Sequence, residues 1–190
     1  MGRGREPKET LDKQSIKRLK ILMENGNADA FNMLGFFFAF GTHGMPRHRA
    51  KAHKLFQKAG ELGCADAYCN LGIAYRQGEG VEIDMKKANH FYELAAMNGN
   101  AMARHNLGCK EGQAGNDQRA FKHYMFSASA GFKVSLESVR KGFIAGSVTK
   151  NEYENTLRAY HESQMEMKSE ARDKAAAFLA EIGATSRSGT

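Results

Sequence analysis

The sequence has few of the residues that build sheets. Proline occurs twice, tryptophan is absent, and valine and isoleucine together occur 10 times in 190 residues. Alanine occurs 26 times, and a chain rich in alanine and poor in β-branched residues favours helices over strands. With 42% hydrophobic and 26% charged residues, the composition is that of an ordinary globular chain. The length corresponds to one domain.

Cysteines and long apolar runs are also scarce. The three cysteines, Cys64, Cys69 and Cys109, cannot close a disulfide framework and suit a reducing compartment. The longest apolar run, 33–40, is far shorter than the roughly 20 residues that cross a bilayer. No apolar segment follows the charged first residues, so no secretory signal is predicted. We therefore expect a cytoplasmic or nuclear protein that is neither secreted nor membrane-spanning.

What is present is a repeat. The pair Leu-Gly recurs at intervals of 37 and 36 residues, as Leu34-Gly35, Leu71-Gly72 and Leu107-Gly108. Downstream, each copy has a small residue, an aromatic residue, a second small residue and a glycine at matching positions, with Phe56, Tyr92 and Tyr124 as the aromatics. Within each copy, small and large residues recur at intervals of three and four positions, which is the spacing of one helical face. This pattern predicts two helices per repeat. Because glycine lets two helix backbones approach closely, we expect each aromatic ring to pack against its Leu-Gly helix.

Capping residues mark the predicted helix starts. Asp84 and Asn116 occupy the same repeat position and should cap the second helix of their copies, and His48 holds that position in the first copy as a weaker cap. Thr149 and Glu152 form a capping box. The box predicts the start of a long final helix.

The middle copy resembles a Sel-one-like repeat, a relative of the tetratricopeptide repeat, on the pattern Ala65-x-Ala67-x-x-x-Leu71-Gly72-x-x-Tyr75-x-x-Gly78-x-Gly80-Val81-x-x-Asp84-x-x-Lys87-Ala88-x-x-x-Tyr92-x-x-Ala95-Ala96-x-x-Gly99. The first copy departs from that pattern at 44–46, and the third is shortened at 112–116. The resemblance covers 27–131 well and 132–165 weakly. It implies an all-α, right-handed superhelix (a solenoid) of helix-turn-helix repeats with a long C-terminal helix, which holds other proteins together and has no catalysis of its own.

The repeat boundaries predict the organisation of the whole chain. We expect a disordered basic N-terminus (1–10), an N-terminal capping helix (11–26), repeats at 27–63, 64–99 and 100–131, a degenerate repeat helix (132–148), a long C-terminal capping helix (149–182) and a disordered tail (183–190).

If the tetratricopeptide geometry carries over, side chains around each Leu-Gly pair face a groove. The predicted partner-binding residues are Asp29, Asn32, Met33, Asp66, Cys69, Asn70, Arg76, Met102, His105 and Asn106. Asn70 and Asn106 are at equivalent places, and paired amides can hold the backbone of an extended peptide. The alternative is that these asparagines bond neighbouring helices and steady the stack.

Basic residues recur on the second helices. The predicted basic face consists of Arg47, Lys51, Lys54, Lys58, Lys87, Arg119 and Lys122, in a chain with a formal charge of +7 and a pI of about 9.3. Such a face could attract phosphates or an acidic protein surface, or it is a solvated outer face. No aromatic residues interleave with it, which disfavours single-stranded nucleic acid.

No set of residues predicts catalysis. His105 and Cys109 lie one helical turn apart, but structural zinc sites usually have four ligands, so no metal and no cofactor are predicted. Phosphate-binding loops, nucleophile elbows and zinc-protease motifs are absent. We expect a scaffold or adaptor whose groove binds a protein or peptide partner. A basic-surface binder of nucleic acid or acidic phosphates stays open as an alternative, as does, by resemblance only, the substrate-recruiting part of a ubiquitin ligase assembly. No feature names the partner or sets the oligomeric state.

Overall fold

The computed structural model describes residues 8–185, with side chains described at 13–171 and 173. Within that range every regular element is an α-helix: α1 (Lys8–Glu24), α2 (Ala28–Phe40), α3 (Arg49–Glu61), α4 (Ala65–Gln77), α5 (Met85–Met97), α6 (Ala101–Gln113), α7 (Asp117–Ser129), α8 (Lys133–Ile144) and α9 (Lys150–Thr185). Helices α2 and α3 pack on each other, as do α4 and α5, and α3 packs on α4. Pairs that contact only their neighbours are the pattern of an α-solenoid. The predicted all-α solenoid class is confirmed.

Each repeat contains a glycine whose missing side chain makes room for an aromatic ring. A Cβ atom built on Gly72 would lie 2.5 Å from the ring of Tyr92. The equivalent approaches are 2.8 Å for Gly35 against Phe56 and 2.6 Å for Gly108 against Tyr124. Non-bonded carbon atoms pack at about 3.5–4.0 Å, so only glycine fits at these positions. The predicted packing of the aromatics is confirmed.

The described chain divides into two compact units, with the boundary between Leu107 and Gly108 inside α6. The first unit has a core in which Leu71 is fully buried and Tyr92 is 2% exposed. In the second unit Val139 is fully buried, and the Oγ atoms of the buried Ser135 and Ser127 are hydrogen-bonded at 2.8 Å. Each unit thus has its own interior.

Two of the predicted helix caps are observed. The Oδ1 atom of Asp84 accepts hydrogen bonds at 3.0 Å from the backbone N–H groups of the first turn of α5. The Nδ1 atom of His48 accepts from the first turn of α3 at 3.2 Å. The capping box before α9 is also present. The backbone N–H of Thr149 donates to Glu152 at 2.9 Å, and the N–H of Glu152 donates back to Thr149 Oγ1 at 3.3 Å.

The prediction that Asn116 caps α7 through its side chain is wrong. Asn116 stands at the N-cap position but makes no side-chain capping bond. Its Nδ2 atom donates instead to the carboxylate of Glu111 at 2.9 Å. This bond has a charged acceptor and is therefore a strong one, and it holds the Asn116 amide in the shortened turn after α6, where its Oδ1 atom makes no bond to the first turn of α7.

Both ends of the described chain are more helical than expected. Residues 8–10 belong to α1 and 183–185 to α9, because polar composition alone does not prevent helix formation and lysine and glutamate are good helix formers. The remainder of the predicted disordered ends, 1–7 and 186–190, lies outside the described residues. Among the described helices, none combines the length and the apolar character needed to cross a membrane.

Candidate partner-binding groove

Helix α2 has large apolar side chains on two neighbouring faces, and only one face is buried. Leu34 and Phe37 are 5% and 7% exposed and belong to the core of the first unit. Met33, Phe36 and Phe40 follow one another at intervals of three and four residues, and they are 50%, 46% and 54% exposed. The ring centroids of Phe36 and Phe40 are 4.4 Å apart. These three residues form a continuous apolar surface, the α2 strip.

A pocket of about 210 Å³ adjoins the α2 strip and is lined by residues of α2, α3 and α4, by Glu79 just after α4 and by Met102 of α6. Most of its wall is apolar and consists of Phe36, Ala39, Phe40, Ala52, Phe56, Ile73, Ala74 and Met102. The polar side chains that complete the wall are Arg49, His53, Asn70 and Glu79. An apolar concavity with a few polar groups is the usual composition of a binding site. We call it the α2–α4 pocket.

The charges in the pocket wall compensate each other. The Nη2 atom of Arg49 donates to Oε1 of Glu79 at 2.9 Å. Burial, and then the positive charge of Lys87, lower the pKa of His53 below its ordinary value of 6.5, because both disfavour the protonated ring. The pocket is therefore close to neutral at neutral pH.

Two polar atoms in this wall lack partners. Within residues 8–185, the Nε2 atom of His53 and the Nε atom of Arg49 are buried and have no hydrogen-bond partner. The two residues are four positions apart on α3, which places them on the same helical face. Leaving a buried polar group unpaired costs about 1–3 kcal/mol. A ligand that supplied a polar group here would recover part of that energy.

The structure gives Asn70 a definite role. Its Nδ2 atom donates to Oδ1 of Asn32 at 3.0 Å, which connects α4 to α2, and its side chain also lines the pocket. Asn70 thus makes the helix-to-helix bond of the structural alternative. One amide hydrogen and the Oδ1 atom are not used in that bond. Asn106, at the equivalent repeat position, is half-buried on α6.

Cys69 was predicted to face the groove, and this prediction is wrong. Its side chain is 1% exposed and packs in the core with Tyr92 and Leu107. Burial raises the pKa of its thiol to about 12. In the middle repeat the position two residues before the Leu-Gly pair holds a small, apolar side chain, and this side chain turns inward.

The other predicted groove residues stay accessible to different degrees. Asp66 is exposed, and its Oδ1 atom accepts from Asn100 at 2.6 Å. His105 is half-buried, and burial lowers its pKa. Met102 lines the α2–α4 pocket. The exposed members are Asp29, Met33, Asp66, Arg76 and Met102, and the half-buried ones are Asn32, Asn70, His105 and Asn106.

All residues of the predicted basic face are exposed, but several interact locally. The Nζ atom of Lys51 lies 4.2 Å from the centroid of the Phe38 ring. Lys87 lies 3.7 Å from Asp84, and Lys58 lies 3.7 Å from Glu61. The Nε atom of Arg47 donates a hydrogen bond to the backbone oxygen of Ala39 at 3.1 Å. Arg119 forms an ion pair with Glu111 at 4.0 Å. Arg119 and Lys122 belong to the second unit and the others to the first.

In the part of the chain that the structure describes, no three histidine, cysteine, aspartate or glutamate side chains come together as a metal site. The Sγ atom of Cys109 accepts a hydrogen bond from the hydroxyl of Tyr124 at 3.6 Å. Burial, and then this thiol, raise the pKa of Tyr124.

Sequence reasoning missed the aromatic part of the groove and His53. A signal for the aromatics was present in the run 36–40, Phe-Phe-Phe-Ala-Phe. Four phenylalanines in five residues spread over more of a helix than one buried face can cover, so some had to be exposed. No comparable signal marked His53, because its place in the pocket depends on the packing of α4 against α3.

The described residues form an all-α solenoid assembled from helix-turn-helix repeats. The profile of the Sel1 repeat matches residues 28–64, 65–100 and 101–132, which together make up more than half of the chain. The chain belongs to the Sel1 repeat family, in agreement with the resemblance to Sel-one-like repeats. Repeats of this family generally mediate protein interactions.

Several known proteins are similar to parts of this chain. The ERAD-associated E3 ubiquitin-protein ligase component HRD3B of Arabidopsis thaliana is 33% identical over 96 residues, 50% of this chain and 15% of that protein. The uncharacterized protein NMB1327 of Neisseria meningitidis serogroup B is 39% identical over 86 residues, 45% of this chain and 18% of that protein. The chain thus spans less than a fifth of the length of these relatives.

Solved structures are similar over more of the chain. The crystal structure of a Sel1 repeat protein from Oxalobacter formigenes aligns with a TM-score of 0.68 at 25% identity, covering 79% of this chain and 64% of that one. The structure of c5321, a protective antigen of uropathogenic Escherichia coli, aligns with a TM-score of 0.64 at 21% identity, covering 84% of this chain and 38% of that one. The second likeness concerns the fold alone.

Proposed function

We propose that this chain is a non-catalytic scaffold or adaptor that binds an extended or helical segment of a partner protein along the α2 strip and the α2–α4 pocket. The general role of Sel1 repeats in protein interactions supports the proposal. The observation that carries it is the α2 strip, in which three large apolar side chains remain about half exposed beside a pocket. Contiguous apolar patches of this kind mark interaction sites.

The groove offers a partner both apolar and polar contacts. Covering the exposed parts of the α2 strip would contribute on the order of 1 kcal/mol per side chain. Met102 on α6, which is 41% exposed, extends the apolar surface. The Oδ1 atom and the amide hydrogen of Asn70 that its bond to Asn32 leaves unused offer an acceptor and a donor to a polar group of the segment. The partner is therefore a protein segment with apolar anchor residues.

Affinity capture with a matched pair of variants tests this function. The wild-type chain, the double variant Phe36→Ser, Phe40→Ser and the control Phe126→Ser would each be used as bait, with mass spectrometry of the captured proteins. Phe126 is 65% exposed on α7, so its substitution is the same chemical change outside the groove. We expect the control to keep the partners of the wild type and the double variant to lose them. Equal capture by all three baits would contradict the proposal.

A second candidate function is recruitment of substrates to a ubiquitin ligase assembly. The observation that favours it is the identity of 33% over 96 residues with HRD3B, whose name assigns it to an E3 ubiquitin-protein ligase. In this function the groove would bind the protein to be modified, or another component of the ligase. The test is whether ligase components co-precipitate with the wild-type chain from cells. Their absence from the wild-type precipitate would exclude this candidate and leave the general scaffold function standing.

A further inference from the structure

We infer that the α2–α4 pocket takes one tyrosine side chain of the partner segment, with its ring against the apolar wall and its hydroxyl directed to Asn70 and His53, two polar side chains of that wall. The inference rests on the proposed function and names the residue that the groove selects. Three properties of the pocket lead to it: size, charge and hydrogen-bonding capacity.

The size of the pocket suits a single aromatic ring. An engineered apolar cavity of about 150 Å³ binds benzene, and the α2–α4 pocket has about 210 Å³, which leaves room for one ring and a small substituent. The rings of Phe36, Phe40 and Phe56 line the wall. Aromatic pairs in tilted or edge-to-face arrangements gain about 0.5–1.5 kcal/mol beyond burial. An aromatic side chain therefore fits this wall better than an aliphatic one.

The charge of the pocket selects a neutral occupant. The guanidinium of Arg49 is paired with Glu79 at 2.9 Å, and these two side chains are 40% and 25% exposed. A phosphate or carboxylate on the ligand would add a negative charge beside Glu79 to a pair whose charges already compensate each other. A phosphotyrosine or an acidic side chain is thereby disfavoured, and a neutral ring is favoured.

Polar side chains in the pocket wall select a ring that carries a hydroxyl. Asn70 borders the pocket with an Oδ1 atom and an amide hydrogen that its bond to Asn32 does not use. His53 contributes the Nε2 atom that lacks a partner among the described residues; because this atom is buried, a hydroxyl reaches it only after a rotation of the imidazole. A phenol both donates and accepts. Phenylalanine offers no bond, and the indole of tryptophan only donates.

The test is selection from a phage-displayed library of random peptides against the intact chain. We expect the selected peptides to share a tyrosine. In the tightest peptide, Tyr→Phe should weaken binding about 2- to 13-fold, the equivalent of one neutral hydrogen bond. Tyr→Ala should weaken it about 10- to 150-fold, the equivalent of one buried apolar side chain.

Variants of the chain then locate the tyrosine. Phe40→Ala removes an exposed part of the pocket wall without disturbing the core, and it should weaken binding of the peptide. Phe126→Ala, the same change on α7, should leave the binding affinity unchanged. In an Asn70→Ala, His53→Phe background the penalty of Tyr→Phe in the peptide should disappear. Circular dichroism and the melting temperature of each variant confirm that it is folded.

The possible failures are distinguishable. Selection of no peptide would contradict the proposed function and the inference together. Peptides that bind through the α2 strip but share a leucine, a tryptophan or an acidic residue in place of tyrosine would overturn the inference and leave the proposed function intact. A wild-type dimer that Phe40→Ala dissociates would mean that a second copy of this chain occupies the pocket, and it would also overturn the inference.

Discussion

The side-chain amide of Asn70 donates to the side-chain oxygen of Asn32 over 3.0 Å. Asn70 stands one residue before its Leu-Gly pair and Asn32 stands two residues before its own. The bond therefore connects two different repeat positions, and equivalence between copies does not predict it. It connects α2 to α4 next to the pocket that both helices line.

We expect Asn70→Ala and Asn32→Ala each to reduce the free energy of unfolding by about 0.5–1.5 kcal/mol, because each removes one neutral hydrogen bond. The double variant should lose little more than either single variant, since all three lack the same bond. Urea denaturation of the four proteins measures the coupling. Additive losses would mean that the two side chains act independently.

The double variant Asn70→Ala, Asn106→Ala tests the predicted contact with a peptide backbone. Loss of two neutral hydrogen bonds of about 0.5–1.5 kcal/mol each predicts a roughly 5- to 150-fold weaker affinity for the partner segment. The affinity is measured by calorimetry below the melting temperature of the variant, so that the folded fraction is known. An unchanged affinity together with a lower melting temperature would restrict both asparagines to a structural role.

Gly72 should tolerate no side chain. A Cβ atom there would lie 2.5 Å from the Tyr92 ring, so Gly72→Ala should destabilise by about 1–3 kcal/mol and Gly72→Leu by more. Gly112 on α6 is the control, since its Cβ atom would have no neighbour nearer than 3.7 Å. Gly112→Ala should be neutral or stabilising by up to about 1 kcal/mol. Equal melting temperatures for Gly72→Leu and wild type would refute the helix packing described above.

Charge reversal separates the groove from the basic face. Lys51→Glu combined with Lys87→Glu changes exposed residues that do not line the pocket. We expect this variant to bind the partner segment as the wild type does, with an affinity that changes little with salt concentration. A steep loss of affinity with salt is the mark of phosphate contacts. Loss of the partner upon charge reversal, with the asparagine variant unaffected, would transfer the binding site to the basic face.

Acid should destabilise the chain through His53. Burial and Lys87 lower the pKa of the folded-state ring below 6.5; the ring of Tyr75 contacts it at 5.4 Å between centroids, and Arg49 and Glu79 line the same pocket. Below about pH 6.5 the unfolded chain therefore binds more protons than the folded chain, and the free energy of unfolding falls until the folded ring also protonates.

The variant His53→Gln should weaken the pH dependence of the free energy of unfolding, as measured by urea denaturation between neutral and mildly acidic pH. His105, whose pKa burial also lowers, provides the comparison. His105→Gln should remove a further part of the dependence. A pH profile of His53→Gln that superimposes on that of the wild type would contradict this account.

Periodic and local features of the fold were predictable from the sequence. The contact of Gly72 with Tyr92 and the capping box at Thr149 depend on residues at fixed offsets, which the repeats display directly. Cys69 and Asn116 were misassigned because a side chain's direction and its choice of partner depend on the packing of a third element. The pocket was missed for the same reason, since its wall combines side chains from separate helices.

The apolar strip on α2 also has a consequence for the amount of protein in a cell. Without a partner, the folded chain displays aromatic side chains of the kind that chaperones and proteases encounter on unfolded proteins. Binding of a partner covers them and stabilises the folded state by mass action, and small gains in stability change abundance several-fold. We expect the steady-state level of this chain to follow that of its partner.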